Sequence, residues 1–277
     1  MDDTSYEYLK RSIHRLMNID LENYKSQQMR RRLNMFFDYS NFNNVVAYVA
    51  ALQKDPILLA KLRDFLTINV SEFFRDRALF DYLSKSIIPE LLQRSPALTV
   101  WSAGCSRGEE PYSLAMILNT VAPGKKHRIL ATDIDDNSLA KARNGGPYHV
   151  NEIKDVPANV SSKYMSICGN EVIVNDQIKS MVEIKRHDLL NDPFERNFDL
   201  IVCRNVVIYF TEKTKRSLNE RFHASLKPKG ILFIGGTEVM LESSAIGFSQ
   251  ISPFFYSKGE SMTKIPAAEA GVLSARA

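Results

Sequence analysis

The sequence predicts an α/β protein in which a mostly parallel β-sheet, with helices on both faces, follows an all-helical N-terminal section. Three observations lead to this prediction. Apolar residues recur at helical spacing up to about residue 66, and short apolar runs alternate with helical segments from about residue 97 onward. A pair of alternating apolar runs then interrupts that alternation, which predicts a small antiparallel β insert.

The N-terminal section is expected to form three or four short helices. Apolar side chains recur three and four residues apart, as at Met29, Leu33 and Phe36. Breaks between the helices fall at residues 18–21, at residues 40–44 and at the pair Asp55-Pro56. Proline suits the first turn of a helix, so a new helix is predicted to begin there.

A basic stretch lies within this helical section, although the net charge of the chain is only +4. Between residues 10 and 37, seven basic side chains occur with two acidic ones. On the second predicted helix, Lys25, Gln28 and Arg32 share one side and the apolar residues share another, so the basic groups should face solvent. An acidic partner or a plain solvated helix face would each explain this pattern.

Composition limits the class of protein. With 277 residues, of which 44% are hydrophobic, the chain can bury a substantial core. Three scattered cysteines predict neither a disulfide framework nor a metal site. We find no secretion signal and no apolar run long enough to span a membrane, so we expect a soluble cytoplasmic protein. No extended apolar interface pattern is visible, and a monomer is expected.

Five strand-like runs alternate with helices after residue 97: LTVWSA, HRILATD, MVEIKRHD, FDLIVC and ILFIGG. The ending GFSQISPFFYSK offers two further short runs, as an antiparallel edge would. The predicted domains are a helical section (1–75), a linker helix (76–96), the sheet domain (97–258, with the β insert near 168–187) and a disordered tail (259–277).

The first strand leads into WSAGCSRGEEP, residues 101–111, just before a helix. Its small residues, Gly104 among them, let a ligand approach the backbone, and the helix start offers free N–H groups. The loop therefore indicates a nucleotide-type site. It matches neither GxGxxG nor a P-loop, and a purely structural turn would explain it equally well.

Asp133 ends the second strand, 29 residues after Gly104, where an acid can accept hydrogen bonds from both hydroxyls of a ribose. Ligands of doubly wound sheets bind at the carboxyl ends of the strands, so the loop and this acid should border one crevice. Together they fit an adenosine-bearing cofactor. Asp135 is the better candidate for an ordinary helix cap.

Three further segments place polar residues around the same crevice: RHDLL after the third strand, CRN after the fourth, and NVSEFFRD before the sheet domain. Arg204 could instead anchor a helix, and Asn205 could be a cap. In NVSEFFRD, Phe73 and Phe74 can enter the core while the polar residues of the segment form a lid over the crevice. Alternatively, the segment only packs between the two domains.

Taken together, NVSEFFRD, WSAGCSRGEEPYSLAM, ATDID, HDLL and CRNVVIYF resemble the chemotaxis receptor methyltransferases, the CheR family. Motif order and spacing match from the helical section to ISPFFYSK. The resemblance implies a Rossmann-like sheet that binds S-adenosylmethionine. It also implies an enzyme that transfers the methyl group to glutamate side chains on the cytoplasmic helices of chemoreceptors, leaving S-adenosylhomocysteine.

The resemblance implies roles for matching positions. Together with Gly104 of the loop, the implied cofactor contacts are Asn69, Ser71, Arg75, Glu110, Asp133, Asp188, Leu189, Arg204 and Asn205. Arg75 and Tyr209 would border the reacting centre, where Tyr209 positions the incoming carboxylate. The family often has a small or hydroxyl residue at position 107, where this chain has Arg107, so details of the loop are expected to differ.

The resemblance also implies partner surfaces. The residues expected to meet the acidic receptor helices are Lys25, Gln28, Arg30, Arg31 and Arg32. Binding should then weaken as salt rises. Some relatives grip a receptor's C-terminal pentapeptide by adding it as a strand to the small β insert, and residues 168–187 could do the same.

Other functions were weighed against this one. A nucleic-acid adenine methyltransferase typically has an Asn/Asp-Pro-Pro-aromatic run after the fourth strand, where this chain reads Arg204-Asn205-Val206-Val207, so no nucleic-acid partner is expected. A small-molecule methyltransferase would leave the basic helices unexplained. A catalytically silent cofactor-binding module is opposed by the intact Arg75, Asp133 and Tyr209.

Overall fold

The computed structural model describes residues 1–67 and 71–259. The chain forms two compact units, one of Met1–Asn69 with Ile208–Ser217 and the other of Val70–Val207 with Leu218–Ala277. The boundary between the two units thus lies a few residues before residue 75, the boundary that the sequence predicts. The predicted site residue Asn69 and all of the predicted tail except Gly259 lie outside the described residues.

Within residues 1–67, the first unit has four α-helices: α1 (Asp3–Met17), α2 (Ser26–Asp38), α3 (Val45–Lys54) and α4 (Pro56–Thr67). Side-chain caps begin three of them, because Asp2, Asn44 and Asp55 accept hydrogen bonds from backbone N–H groups of the first turns. The helices are separated at the predicted breaks, which confirms the all-helical section.

The core of the first unit forms where these helices pack, α1 on α3 and α4 on both α2 and α3. Leu9, Ile13, Leu33, Val49 and Leu62 are almost completely buried there. Burial of these side chains stabilises the unit by roughly 2 kcal/mol each, as is typical of large aliphatic groups.

The second unit begins with helical segments that join its own core. They are α5 (Arg77–Tyr82), a π-helical turn (Leu83–Ile87) and α6 (Ile88–Arg94). Leu83, Ile87 and Ile88 are fully buried with residues of the sheet. The segment predicted as a linker is therefore part of the folded second unit.

The main sheet of the second unit has seven strands, in the order β6-β2-β1-β7-β8-β10-β9. The strands are β1 (Thr99–Ala103), β2 (Arg128–Asp133), β6 (Val182–Arg186), β7 (Phe198–Cys203), β8 (Leu226–Ile234), β9 (Phe248–Ser252) and β10 (Phe255–Lys258). The first five in that order are parallel, and β10 and β9 are antiparallel. The α/β prediction and its antiparallel edge are confirmed.

Helices cover this sheet between its strands. They include α7 (Glu109–Val121), α8 (Asp136–Asn144) and α11 (Glu212–Ser225), the last of which begins in the first unit. All six residues of β7 are buried, as expected for a central strand of a covered parallel sheet. The chain also forms the short helices α9 (Ala158–Tyr164), α10 (Asp176–Lys179) and α12 (Ser243–Ile246).

The β insert exists, but its strands lie earlier than residues 168–187. A second, antiparallel sheet has the order β3-β5-β4, formed by β3 (Tyr148–His149), β4 (Met165–Cys168) and β5 (Glu171–Val174). The later part of the predicted range is wrong, because β6 pairs in parallel with β2 and belongs to the main sheet. Alternating apolar residues occur in both segments, so periodicity could not separate them.

Candidate active site

The predicted crevice lies where the strand order reverses. β1 is flanked by β2 on one side and β7 on the other, and the chain leaves the carboxyl ends of these three strands at Gly104, after Asp133 and at Arg204. Such a switch point is where open parallel sheets bind their ligands. The structure thus brings the three main sequence motifs to one edge.

The loop after β1 depends on glycine at two positions. Gly104 has a φ of +83°, and a Cβ there would lie 2.4 Å from the Cγ2 atom of Val206. Gly108, with a φ of +99°, begins α7, and a Cβ would lie 3.0 Å from the Cβ of Ala142. Any side chain at these positions would be strained and would fill the space beside the backbone.

Asp133 holds the same loop from the end of β2. One carboxylate oxygen accepts a hydrogen bond from the Ser106 N–H (2.7 Å) and the other from the Asp135 N–H (3.0 Å). Burial raises the pKa of Asp133, while these two N–H groups oppose the shift. Each oxygen keeps a further lone pair for a ligand hydroxyl. Asp135 caps α8, as predicted.

Glu110 lies in the first turn of α7, at the same edge. Its Oε1 accepts a hydrogen bond from the Ser102 hydroxyl (2.7 Å), and its Oε2 lies 3.7 Å from Nη1 of Arg204. Burial raises the pKa of Glu110, and the Arg204 charge is the largest opposing influence. A carboxylate held in this way can meet a cationic group of a ligand.

Arg204 is buried directly after β7, with its side chain only 2% exposed. Its Nη2 donates to the Asp76 carboxylate (2.5 Å) and to the Arg75 carbonyl (3.1 Å). The guanidinium lies over the rings of Phe80 and Phe233. Burial lowers the pKa of Arg204, while Glu110 and Asp76 oppose the shift. Arg204 thus anchors the segment around Arg75, and its direct contact with cofactor stays a prediction.

The segment 71–76 is fixed at several successive backbone groups besides Arg75. The Ser71 carbonyl accepts from Arg107, the Phe73 N–H donates to the Glu152 carbonyl, and the Phe74 N–H donates to the Ser113 hydroxyl. Phe73 and Phe74 are buried, as predicted. The segment is therefore bound to the sheet domain along its described length.

Arg107 was not among the predicted site residues, but it joins the loop to its surroundings. Its Nη2 donates to the Ser71 carbonyl (3.2 Å) and pairs with Glu109 (2.9 Å) and Glu152 (2.5 Å). Burial raises the pKa of Glu109, and Arg107 is the main opposing influence. The departure at position 107 was the available signal, although sequence alone did not show its partners.

The remaining residues of the second unit that are predicted to contact cofactor lie in tight turns. Asp188 accepts hydrogen bonds from the Leu190 N–H and the Asn191 side chain, both at 2.8 Å, while the Leu189 carbonyl accepts from Arg221. Asn205 has a φ of +59°. A Cβ on Gly235 would lie 2.9 Å from the backbone nitrogen of Asn205. The predicted contacts of Asp188, Leu189 and Asn205 with cofactor stay predictions.

Tyr209 belongs to the first unit, so its predicted place beside Arg75 also stays a prediction. Its carbonyl accepts a hydrogen bond from the N–H of Lys25, the residue before α2. Burial lowers the pKa of Arg32, and the nearby Tyr209 opposes that shift. Within the first unit, Tyr209 is thus close to the basic helix α2.

The basic residues of α2 do not all face solvent, which corrects the prediction. Arg30 pairs with Asp3 at 2.6 Å, and Arg32 donates to the Phe65 carbonyl and lies over the Phe65 ring. Gln28 and Arg31 are exposed, and Lys25 is half-buried. Helical spacing did not show that Phe65 of α4 would offer Arg32 both a ring and a carbonyl.

In residues 1–67 and 71–259, no group of histidine, cysteine and acidic side chains could hold a metal ion. Within the same ranges, none of the helices combines the length and the apolar character needed to cross a bilayer.

Comparison with known proteins identifies the family. Residues 4–67 match the family model described as CheR methyltransferase, all-alpha domain, and residues 69–253 match CheR methyltransferase, SAM binding domain. A chemotaxis protein methyltransferase of Listeria monocytogenes is 38% identical over 257 residues, which are 92% of this chain and 98% of that protein. One of Borreliella burgdorferi is 34% identical over 260 residues, 89% of this chain and 91% of that protein. The chain therefore belongs to the CheR methyltransferase family and is an S-adenosylmethionine-dependent methyltransferase of chemotaxis.

Proposed function

We propose that this enzyme forms methyl esters on glutamate side chains in the cytoplasmic helices of chemoreceptors, and that it therefore works in the cytoplasm. The observation that best supports a carboxylate substrate is the position of Tyr209 in the same unit as the basic helix α2. Acidic partner helices are attracted to such a surface. The family and the names of its curated relatives agree with this substrate class.

The residues of the sheet domain fit the cofactor chemically. Glycine at position 104 lets the loop after β1 pack closely against Val206, which follows the Arg204-Asn205 pair. Asp133 would accept hydrogen bonds from the ribose hydroxyls, and Glu110 would meet the ammonium group of the methionine part. Ser71, Asp188, Leu189 and Asn205 complete the proposed set.

Bound S-adenosylmethionine supplies an electrophilic methyl group, which an ionised carboxylate accepts as the carbon–sulfur bond breaks and its electron pair stays on sulfur. A glutamate, with a reference pKa of about 4.3, is already ionised at pH 7, so the enzyme needs no general base. It must remove water from the carboxylate and align it. We assign alignment to the Tyr209 hydroxyl, by a donated hydrogen bond, and electrostatic attraction to Arg75.

A second contact with the receptor is proposed at the small sheet. β4 is an edge strand of the order β3-β5-β4, and no described strand pairs with its outer side. Ile167 on β4 and Ile173 on β5 are exposed, at 53% and 44%. An extended C-terminal receptor peptide would add to this edge by backbone hydrogen bonds, with Ile167 packing against its side chains on one face of the sheet.

The proposal is tested by incubating the protein with methyl-labelled S-adenosylmethionine and receptor-containing membranes. We expect label on receptor glutamates, and weaker transfer as salt rises because Arg31 of α2 is exposed. Parallel reactions with DNA and RNA should remain unlabelled. Cofactor binding without transfer to any substrate would instead identify a silent binding module and contradict the proposal.

Tyr209→Phe tests the assigned role of the phenol. We expect single-turnover methyl transfer to slow by about tenfold or more, because a positioning hydrogen bond is lost, with cofactor affinity nearly unchanged. Tyr39→Phe is the matched control, since Tyr39 lies in the same unit and is 81% exposed. Equal single-turnover rates in Tyr209→Phe and wild type would remove Tyr209 from the mechanism.

A further inference from the structure

We propose that the start of α2 and the turn containing Tyr209 form one positioning device, the Tyr209 brace, which selects the partner carboxylate that is methylated. We define the brace as residues 23–25 and 209–211 together with Thr214. It would fix the distance between a partner held on α2 and the hydroxyl of Tyr209. The inference rests on the proposed function and adds residues that the family resemblance did not assign.

Backbone pairing joins the two segments although they are far apart in the sequence. The Lys25 N–H donates to the Tyr209 carbonyl, and the Thr211 N–H donates to the Asn23 carbonyl, both at 2.9 Å. Tyr24 and Phe210 form an antiparallel bridge between these two hydrogen bonds. The arrangement is a miniature two-stranded pairing, so the two segments have a defined register.

Side chains reinforce the pairing. The rings of Tyr24 and Phe210 meet edge to face, with centroids 5.0 Å apart. The Thr214 hydroxyl donates to Oδ1 of Asn23 at 3.2 Å, and Thr214 is 8% exposed. The Thr211 hydroxyl accepts from the Thr214 N–H at the start of α11. These contacts lie outside the residues that would touch cofactor or carboxylate.

Lys25 connects the brace directly to the helix. Its N–H is held by Tyr209, while its carbonyl accepts the Met29 N–H that opens α2. The Lys25 side chain makes no capping hydrogen bond to the first turn of α2, so this residue is linked to the brace through its backbone N–H. A helix rises about 1.5 Å per residue, so exposed Arg31 lies roughly 9 Å along the axis from Lys25. The partner surface and Tyr209 therefore have a fixed spacing within one unit.

The test removes the side-chain bond between Asn23 and Thr214 while leaving Tyr209 intact. Thr214→Val, Asn23→Ala and the double variant are compared with wild type for turnover, cofactor affinity and the distribution of label among receptor glutamates. We expect kcat to fall about five- to tenfold and the label to spread to other glutamates, because small misplacements are costly in catalysis. The dissociation constant of S-adenosylhomocysteine should stay within about twofold of wild type.

The double variant separates the brace from independent effects. Thr214 also shares a hydrogen bond with the Thr211 hydroxyl (2.8 Å), but because Asn23 and Thr214 share one bond, the loss of turnover in the double variant should be smaller than the two single losses combined. Thr120→Val is the matched control, because it removes a hydroxyl that donates to the Met116 carbonyl within the second unit. Lowered thermal stability with unchanged kcat and unchanged label distribution in both single variants would overturn the proposal.

Hydrogen exchange of backbone amides tests the brace even if no receptor is methylated. Thr214→Val should raise exchange in residues 23–25 and 209–211 together, and Thr120→Val should not. Increased exchange in only one of the two segments would contradict the brace. An unlabelled receptor in the wild-type reaction would refute the proposed function, while coupled exchange would still distinguish a real brace from an accidental contact.

Discussion

Buried charged groups are paired differently at the two ends of the parallel sheet in the second unit. At the amino end, Asp199 accepts hydrogen bonds from Lys227 on both oxygens and from the Thr99 N–H, all at 2.8 Å. Nearby, the Leu98 N–H donates to Nδ1 of His127 at 3.0 Å. These groups connect the first residues of β1, β7 and β8, and both oxygens of Asp199 have partners, although the buried Nε2 of His127 has no hydrogen-bond partner among the described residues.

At the carboxyl end, charges are shared and incompletely satisfied. The Arg204 guanidinium forms ion pairs with both Asp76 and Glu110 and donates a hydrogen bond to the Arg75 carbonyl. Its buried Nε has no hydrogen-bond partner among the described residues. Glu109 is completely buried, and Arg107 is its ion-pair partner. Burial raises the pKa of Glu109, Glu110 and Asp133 alike.

The difference assigns ligand binding to the carboxyl end, whereas the amino end is expected to contribute to stability alone. Buried polar groups with spare hydrogen-bonding capacity cost stability unless a ligand meets them. Evolution retains such groups where function requires them. Changes at the amino end should therefore alter unfolding with little effect on cofactor binding, and changes at the carboxyl end should alter cofactor binding as well as unfolding.

The largest effect is expected for Arg204→Met, which removes the charge that holds Asp76, Glu110 and the Arg75 carbonyl together. We expect cofactor affinity to fall by about 100-fold or more, and the free energy of unfolding to fall by about 3 kcal/mol, since carboxylates lose a buried partner. Calorimetric titration with S-adenosylhomocysteine and urea unfolding measure the two quantities.

Lys227→Met is the matched control at the amino end, where it leaves Asp199 without its ammonium partner. The Lys227 side chain is 35% exposed, so we expect a smaller loss of about 1 kcal/mol in unfolding free energy and unchanged cofactor affinity. A substantial loss of cofactor affinity in Lys227→Met would break the functional division between the two ends.

The same substitution, aspartate to asparagine, can be made at both ends of the sheet and compares them directly. Asp133→Asn should weaken S-adenosylhomocysteine binding by about 30-fold, since hydrogen bonds to a charged acceptor contribute roughly 2 kcal/mol. Asp199→Asn should leave that affinity unchanged and lower the free energy of unfolding by about 1.5 kcal/mol. Similar cofactor affinities in the two variants would show that Asp133 does not meet the ligand.

The sequence predicted this difference only in part. Hydrophobic periodicity is enough to place the alternating strands and helices, and polar residues at strand ends identify the crevice. The positive φ of Gly104 and Gly108 is also a local property of the turn, whereas their close approaches to Val206 and Ala142 are not. Single-sequence reasoning reaches these features because each depends on neighbours in the chain.

Features that depend on distant partners were not predictable. Arg107 meets Ser71 and Glu152, and Arg32 stacks on Phe65, yet nothing near either arginine in the sequence specifies those contacts. The strands of the β insert were assigned too late in the chain because alternation alone does not distinguish an antiparallel hairpin from a parallel strand such as β6. Long-range pairing decides these cases.

The smallest expected effect is on the pH dependence of stability, through His127 at the amino end. Burial lowers the pKa of His127, since the charged imidazolium is poorly solvated there. The Leu98 N–H also donates to its Nδ1, which must be unprotonated to accept that hydrogen bond. In the unfolded chain the histidine pKa is about 6.5, so below about pH 7.5 the unfolded state binds more protons than the folded state. Stability therefore falls as the pH drops from about 7.5 through the pKa of the folded state.

His127→Asn keeps an acceptor but does not titrate, so urea unfolding at about pH 7.5 and pH 5.5 should show a smaller loss of stability than in wild type, by about 1 kcal/mol or less. Burial also lowers the pKa of His187 and His223, so some pH dependence should remain in the variant. Cofactor affinity at pH 7.5 should equal that of wild type. An equally steep pH dependence in His127→Asn would mean that the amino end does not contribute to it, and the acid sensitivity would then have to arise elsewhere in the fold.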